Sequence, residues 1–221
     1  MGREIDKFKI LVVFGLSTLL FVSGFLLSDF LTNKKISYID SALSDISLQT
    51  ASLETEYAFL LEHPCSYAGF NKLTASLDEL GNKLVFSSDD KSNSGTRVES
   101  AKQNYYLLEV KHMIFAEKIN KECGTNYTTI LYFYSDKGDC NTCKAQGIVL
   151  TNIKKTNPDT MIYSFDINSD FSLISTLKEL YQIKTAPTLI INGKLYTGLQ
   201  DQKTLLAILN QTNSTSSRAV A

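Results

Sequence analysis

Histidine is scarce and tryptophan is missing, with 2 His and 0 Trp in 221 residues. With only His63 and His112, and no second histidine at ligand spacing, a histidine-based zinc site has no foundation. The chain has no Gly-rich phosphate loop, no H-E-x-x-H and no G-x-S-x-G, so nucleotide, metalloprotease and hydrolase readings have no starting point. Neither sign of charge is in excess. A net charge of −1 leaves no electrostatic footprint for nucleic acid at the level of the whole chain. The missing tryptophan and the 3 prolines decide nothing about class. What is present, 43% hydrophobic and 20% charged residues, is ordinary for globular protein and far from the disordered class. The length suits one ordinary domain plus accessories, or two small domains.

Formal charge is absent from residues 10–28, a run bounded by Lys9 and Asp29. At about 1.5 Å per residue it measures about 28 Å, close to the roughly 30 Å hydrocarbon core of a bilayer. The run is expected to be an N-terminal transmembrane helix, a signal-anchor over residues 1–31 in contact with membrane lipid. Gly15, Ser17, Thr18, Ser23 and Gly24 dilute its apolarity, which transmembrane helices tolerate. Arg3, Lys7 and Lys9 before it outnumber Lys34 and Lys35 after it, which favours a single-pass topology with the C-terminal part extracytoplasmic. The competing reading is a cleaved signal peptide, although no A-x-A site is present.

Apolar or near-apolar residues then recur at Ile36, Ile39, Leu43, Ile46, Thr50, Leu53, Tyr57 and Leu60 in alternating steps of three and four. That is the seam of a helix packing on other helices, in the manner of a coiled coil. His63-Pro64 ends it. A second run uses Phe70, Leu73, Leu77, Leu80 and Leu84, and residues 87–96 read as a loop. A third uses Val98, Ala101, Tyr105, Leu108, His112, Phe115 and Ile119 before Cys123-Gly124. Three helices over residues 32–124, joined by short connections, should run up, down and up. Cys65 and Cys123 would then share one end, and an oxidising compartment would favour a structural disulfide between them. Two unpaired thiols are the alternative. His112, on the third seam, reads as a packed histidine. The segment is expected to be a stalk, with a docking surface for a partner as the alternative.

The last part reads as β-α-β-α-β-β-α over residues 125–210. Strands are expected at 128–135, 160–167 and 188–191, with a return strand at 194–197 after the hairpin signal Asn192-Gly193. Helices are expected at 144–155, at 171–181 and from a cap at Asp201 through Asn210, with a disordered tail over 211–221. Between the first strand and the first of these helices stands Cys140-Asn141-Thr142-Cys143. Cys140, ahead of a helix, meets free backbone N–H groups and the positive end of the dipole, which favour thiolate and make it the nucleophile. Cys143, one turn further on, is the thiol that resolves a mixed disulfide. Asp136 and Asp139 oppose thiolate formation, whereas Lys137 and Lys144 assist it. A structural disulfide or a metal pair is the competing reading, but two cysteines alone make an incomplete zinc shell.

A strand leading to Cys-x-x-Cys at a helix start, then Ala186-Pro187-Thr188 and an Asn-Gly hairpin, resembles the thioredoxin-like superfamily over residues 126–210. The resemblance implies an α/β domain with a central mixed sheet flanked by helices. It also implies a cis Pro187 facing the cysteines, which leaves Ala186 free to pair with a substrate strand. This chain differs from thioredoxin in having no Trp before Cys140, no Gly-Pro between the cysteines and no acidic residue within TTILYFYS. Those departures bear on the direction of electron flow and not on the fold.

The function expected is therefore thiol–disulfide exchange on exported proteins, as oxidase, isomerase or reductase, with no cofactor. The resemblance implies protein thiol or disulfide substrates and a membrane redox partner, such as a quinone-linked oxidase or a reducing transporter. A reading of another class is a membrane-tethered binding module that keeps the fold without turnover.

Overall fold

A computed structural model describes the backbone of residues 7–88 and 95–219. The middle of the expected 87–96 loop and the Arg3 charge invoked for topology lie outside the described residues. So do the side chains of Ile36, Ile39 and Leu43 on the first seam.

Ten elements follow one another: α1 (Lys7–Glu62), α2 (Tyr67–Ser88), α3 (Gly95–Cys123), β1 (Thr128–Tyr134), α4 (Cys143–Thr156), β2 (Thr160–Asp166), α5 (Ser172–Leu180), β3 (Thr188–Ile191), β4 (Lys194–Thr197) and α6 (Gln202–Ala219). The chain divides into two compact units, Met1–Ser47 and Leu48–Ala221.

In the first unit the helix shows its apolar side chains openly, with Phe14 and Phe21 73% and 77% exposed. Thr18 and Ser23 turn their hydroxyls back onto the carbonyls of Phe14 and Leu20. Among the described residues no helix is long and apolar enough to cross a membrane. The expected transmembrane anchor is corrected accordingly, and with it the signal-anchor and the single-pass membrane localisation with an extracytoplasmic C-terminal domain. Gly15, Ser17, Thr18, Ser23 and Gly24 thin the apolar surface of the run.

In the second unit, Leu53 and Leu60 of α1 are buried, as are Phe70, Leu73, Leu77 and Leu80 of α2 and Leu108, Phe115 and Ile119 of α3. Tyr57 meets Phe115 edge-on at 5.5 Å, and Lys111 pairs with Glu54 at 2.6 Å, so the three helices lie side by side. A Cβ on Gly81 would stand 2.5 Å from the Tyr105 hydroxyl, so α2 and α3 approach closely there only because the side chain is missing.

The sheet has the order β2-β1-β3-β4. β1 and β2 run parallel, joined through α4, while β3 is antiparallel to both β1 and β4. The turn at Asn192-Gly193 has positive φ at both residues, 45° and 81°, as a two-residue I′ hairpin requires. Ile130, Tyr132, Leu189 and Ile191 pack against Leu150 and Ile153 of α4 and Leu205 and Leu209 of α6. α6 runs on to Ala219, past the Asn210 at which the sequence reading ends it.

The edge strand β2 is covered by α3. The Ser164 N–H donates to Glu109 Oε1 at 2.9 Å and the Asp166 N–H to the Tyr106 hydroxyl at 3.3 Å, two residues apart on the same side of the strand. Side chains of a helix thus satisfy backbone donors that an open edge would leave free.

Candidate redox site

β1 and α4 are joined by residues 135–142, and the cysteine pair sits at the end of that connection. The Cys143 N–H donates to the Cys140 carbonyl at 3.3 Å, closing a turn over Asn141 and Thr142, and α4 begins only at Cys143. Cys140 and Cys143 are bridged, with Cα atoms 5.4 Å apart. Cys140 is half-buried and Cys143 buried at 6% exposure.

Two contacts hold the start of α4. The Tyr132 hydroxyl donates to the Cys143 carbonyl at 2.6 Å from within the sheet. Gln146, fully buried, donates through Nε2 to the Gln200 carbonyl at 3.2 Å and accepts the Gln200 N–H at 2.7 Å. The Ala186–Pro187 bond is cis and directly precedes β3. Because Thr188 pairs with Phe133, Pro187 stands beside the end of β1, where the Cys140 connection leaves the sheet. The Pro187 carbonyl accepts the Gly198 N–H at 2.8 Å.

The segment ahead of Cys140 is fastened at three points. Asp139 Oδ1 accepts the Ser135 hydroxyl, and Ser135 in turn accepts from Asn168 Nδ2 at 2.6 Å. Asp166 accepts the Asn168 N–H at 3.0 Å. Asp136 Oδ2 accepts from Lys102 Nζ of α3 at 3.3 Å. Burial raises the Asp166 carboxyl above its ordinary value, and a hydrogen bond with Asp136 adds to the rise, while the Asn168 N–H and Lys102 oppose it.

A cleft of about 780 Å³ runs from this segment between α3 and α4, bounded by Tyr105, Glu109, Tyr132, Tyr134 and Lys154 among others. Burial pushes the hydroxyls of Tyr106 and Tyr132 up to about 12, and that of Tyr134 higher. Glu109 is 2% exposed and its carboxyl is raised well above the usual range by burial, with the Ser164 N–H opposing. Behind it, His112 is hydrogen-bonded to Thr74 Oγ1 at 2.9 Å and to the Tyr163 hydroxyl at 2.8 Å. Burial lowers it to about 3, with the charge of Lys154 acting in the same direction.

Cys65 and Cys123 are bridged across the α1–α2 turn and the end of α3, with Cα atoms 5.5 Å apart. The Tyr67 hydroxyl donates to the Cys123 carbonyl at 3.2 Å. This pair precedes β1 while Cys140 follows it, so the strand of about 20 Å separates the two bridges. Sequence reasoning did not find Lys102, Tyr132, Gln146 or Asn168. Their partners lie from 11 to 54 residues away along the chain, and no short motif ties them together.

The parallel β1–α4–β2 unit followed by an antiparallel hairpin is a thioredoxin-like arrangement. No family model matches the chain and no curated protein matches it. Among solved structures it is similar to thioredoxin O1 from Arabidopsis thaliana in its oxidised state, at 24% identity over 46% of this chain and 89% of that one, with a TM-score of 0.35. It is also similar to thioredoxin f2 of Chlamydomonas reinhardtii, at 22% over 45% and 89%, TM-score 0.35. The oxidised thioredoxin of Plasmodium falciparum gives 19% over 45% and 89%, TM-score 0.33. Each is a partial overlay, and no chemistry follows from it.

Proposed function

We propose that the chain carries out thiol–disulfide exchange on exported proteins through the Cys140/Cys143 couple. The observation that carries the reading is the unequal burial of the two cysteines at the start of α4, with Pro187 at the adjoining strand end. A half-buried Cys140 is reachable by a partner sulfur, whereas Cys143 is sheltered behind it. Ahead of α4, unpaired backbone N–H groups favour a thiolate. In the reductive direction the Cys140 thiolate attacks a substrate disulfide, one S–S bond forms as another breaks, and a substrate thiolate leaves. The Cys143 thiolate then attacks Cys140 and expels the second substrate thiolate. Two electrons pass from the pair to the substrate; oxidation of a substrate runs the same steps in reverse. Ala186 is the residue whose backbone would pair with a substrate strand.

The second pair, Cys65 and Cys123, supports a compartment that tolerates disulfides, and hence exported substrates. A couple that turns over needs a dithiol or disulfide partner to restore it. The test is turnover of a quenched fluorescent peptide disulfide by the purified protein in a glutathione buffer. The reading expects catalysis above the buffer alone, lost in Cys140→Ser. A wild-type rate equal to that of the buffer would identify a binding module instead.

A further inference from the structure

We infer that Lys102, on α3 and outside the thioredoxin-like sheet and its helices, is a positioning residue for the redox site: by pairing with Asp136 it withdraws a negative charge from Cys140. The inference rests on the reading of Cys140 as nucleophile. Its basis is geometric. Lys102 Nζ lies 3.3 Å from Asp136 Oδ2, and the lysine side chain is only 21% exposed, while Asp136 stands four residues before Cys140. Asp166, at the end of β2, has its carboxyl raised by burial and by Asp136 and lowered by Lys102, so one ammonium acts on two carboxyls.

The charged and titratable groups that the surrounding elements bring to this segment can be named. Asp136, Lys137 and Asp139 belong to the connection itself. Lys144 comes from α4, Tyr134 from β1, Asp166 from β2, and Lys102 and Tyr106 from α3. On the connection the acids outnumber the bases, and a Cys140 thiolate would form against that excess. Lys102 is the cation that α3 pairs with one of those acids. Stabilising the thiolate stabilises the reduced couple, which makes the couple more oxidising. Electron flow would then depend on a residue of the helical segment.

The experiment measures the pH profile of Cys140 alkylation by iodoacetamide in the reduced full chain, for wild type, Lys102→Ala, Lys102→Arg and the double variant Lys102→Ala/Asp136→Asn. Unpairing one charge near the protein surface should slow alkylation of Lys102→Ala about three- to tenfold below the thiol pKa, with the profile displaced to higher pH. Lys102→Arg should retain the wild-type profile. The double variant should regain it, since the unpaired carboxylate is gone; a merely structural loss would not be repaired by Asp136→Asn. An unchanged profile in Lys102→Ala, or a double variant as slow as the single one, overturns the inference. Alkylation needs no turnover, so this result stands apart from the peptide-disulfide assay. That assay can fail while Lys102 still governs the thiol.

Discussion

Glu109 and His112 face β2 from the same helix, and burial disfavours the charged form of both, with opposite consequences for pH. The His112 pKa falls from 6.5 to about 3 on folding, so between those values the unfolded chain binds the extra proton and stability falls as pH falls. The Glu109 pKa rises, so above its ordinary 4.5 the folded chain holds the extra proton and stability falls as pH rises toward the folded value. Each effect has a slope of about 1.4 kcal/mol per pH unit inside its window. From pH 4.5 upward the two effects oppose each other. Glu109→Gln, which stays neutral in both states, should remove the decline that Glu109 causes as pH rises. Urea unfolding at pH 5 and pH 8 checks this: the variant should gain relative to wild type at the higher pH, and an equal difference at both would refute it. None of this was legible in the sequence. Glu109 is one acid among many along the chain, and only its contact with Ser164, 55 residues on, gives it meaning.

At the scale of elements the sequence was more informative. Runs rich in β-branched and aromatic residues place β1, β2 and β3 to within a residue, because a buried strand has a local signature, and the Asn192-Gly193 hairpin signal places β4. The Cys-x-x-Cys and Ala-Pro-Thr stretches were legible for the same reason. The start of α4 was less so, since Asn141 and Thr142 form a turn before the first helical residue. What no local pattern disclosed is that α3 does three things at once. It covers the β2 edge, reaches Asp136 through Lys102, and ends at Cys123 in a bridge to Cys65. The bridge spans a sequence separation of 58, for which the chain-entropy model gives roughly 4 kcal/mol. Cys65→Ser/Cys123→Ser should therefore lower the thermal midpoint by about 10 °C at this chain size. A shift under about 2 °C would mean that the helices hold without it.

For the whole molecule, the helical segment read as a stalk from its seams, since periodicity reports that a face is buried and not what buries it. α2, α3 and the sheet belong to one compact unit, Leu48–Ala221, joined by Asp78–Lys154 at 2.5 Å and by the His112 contacts to Thr74 and Tyr163. For the N-terminal run, freedom from charge over a span is not by itself the length and apolarity that a membrane crossing needs. The central claim, exchange through one attacking and one resolving cysteine, is tested most directly by trapping in the full chain. Cys143→Ser and Cys140→Ser are each expressed in the compartment where the protein is made and run on a non-reducing gel. The account predicts reductant-sensitive high-mass bands with Cys143→Ser and none or very few with Cys140→Ser, because removing the resolving thiol leaves the mixed disulfide standing. A folded Cys143→Ser that forms no such bands would contradict it.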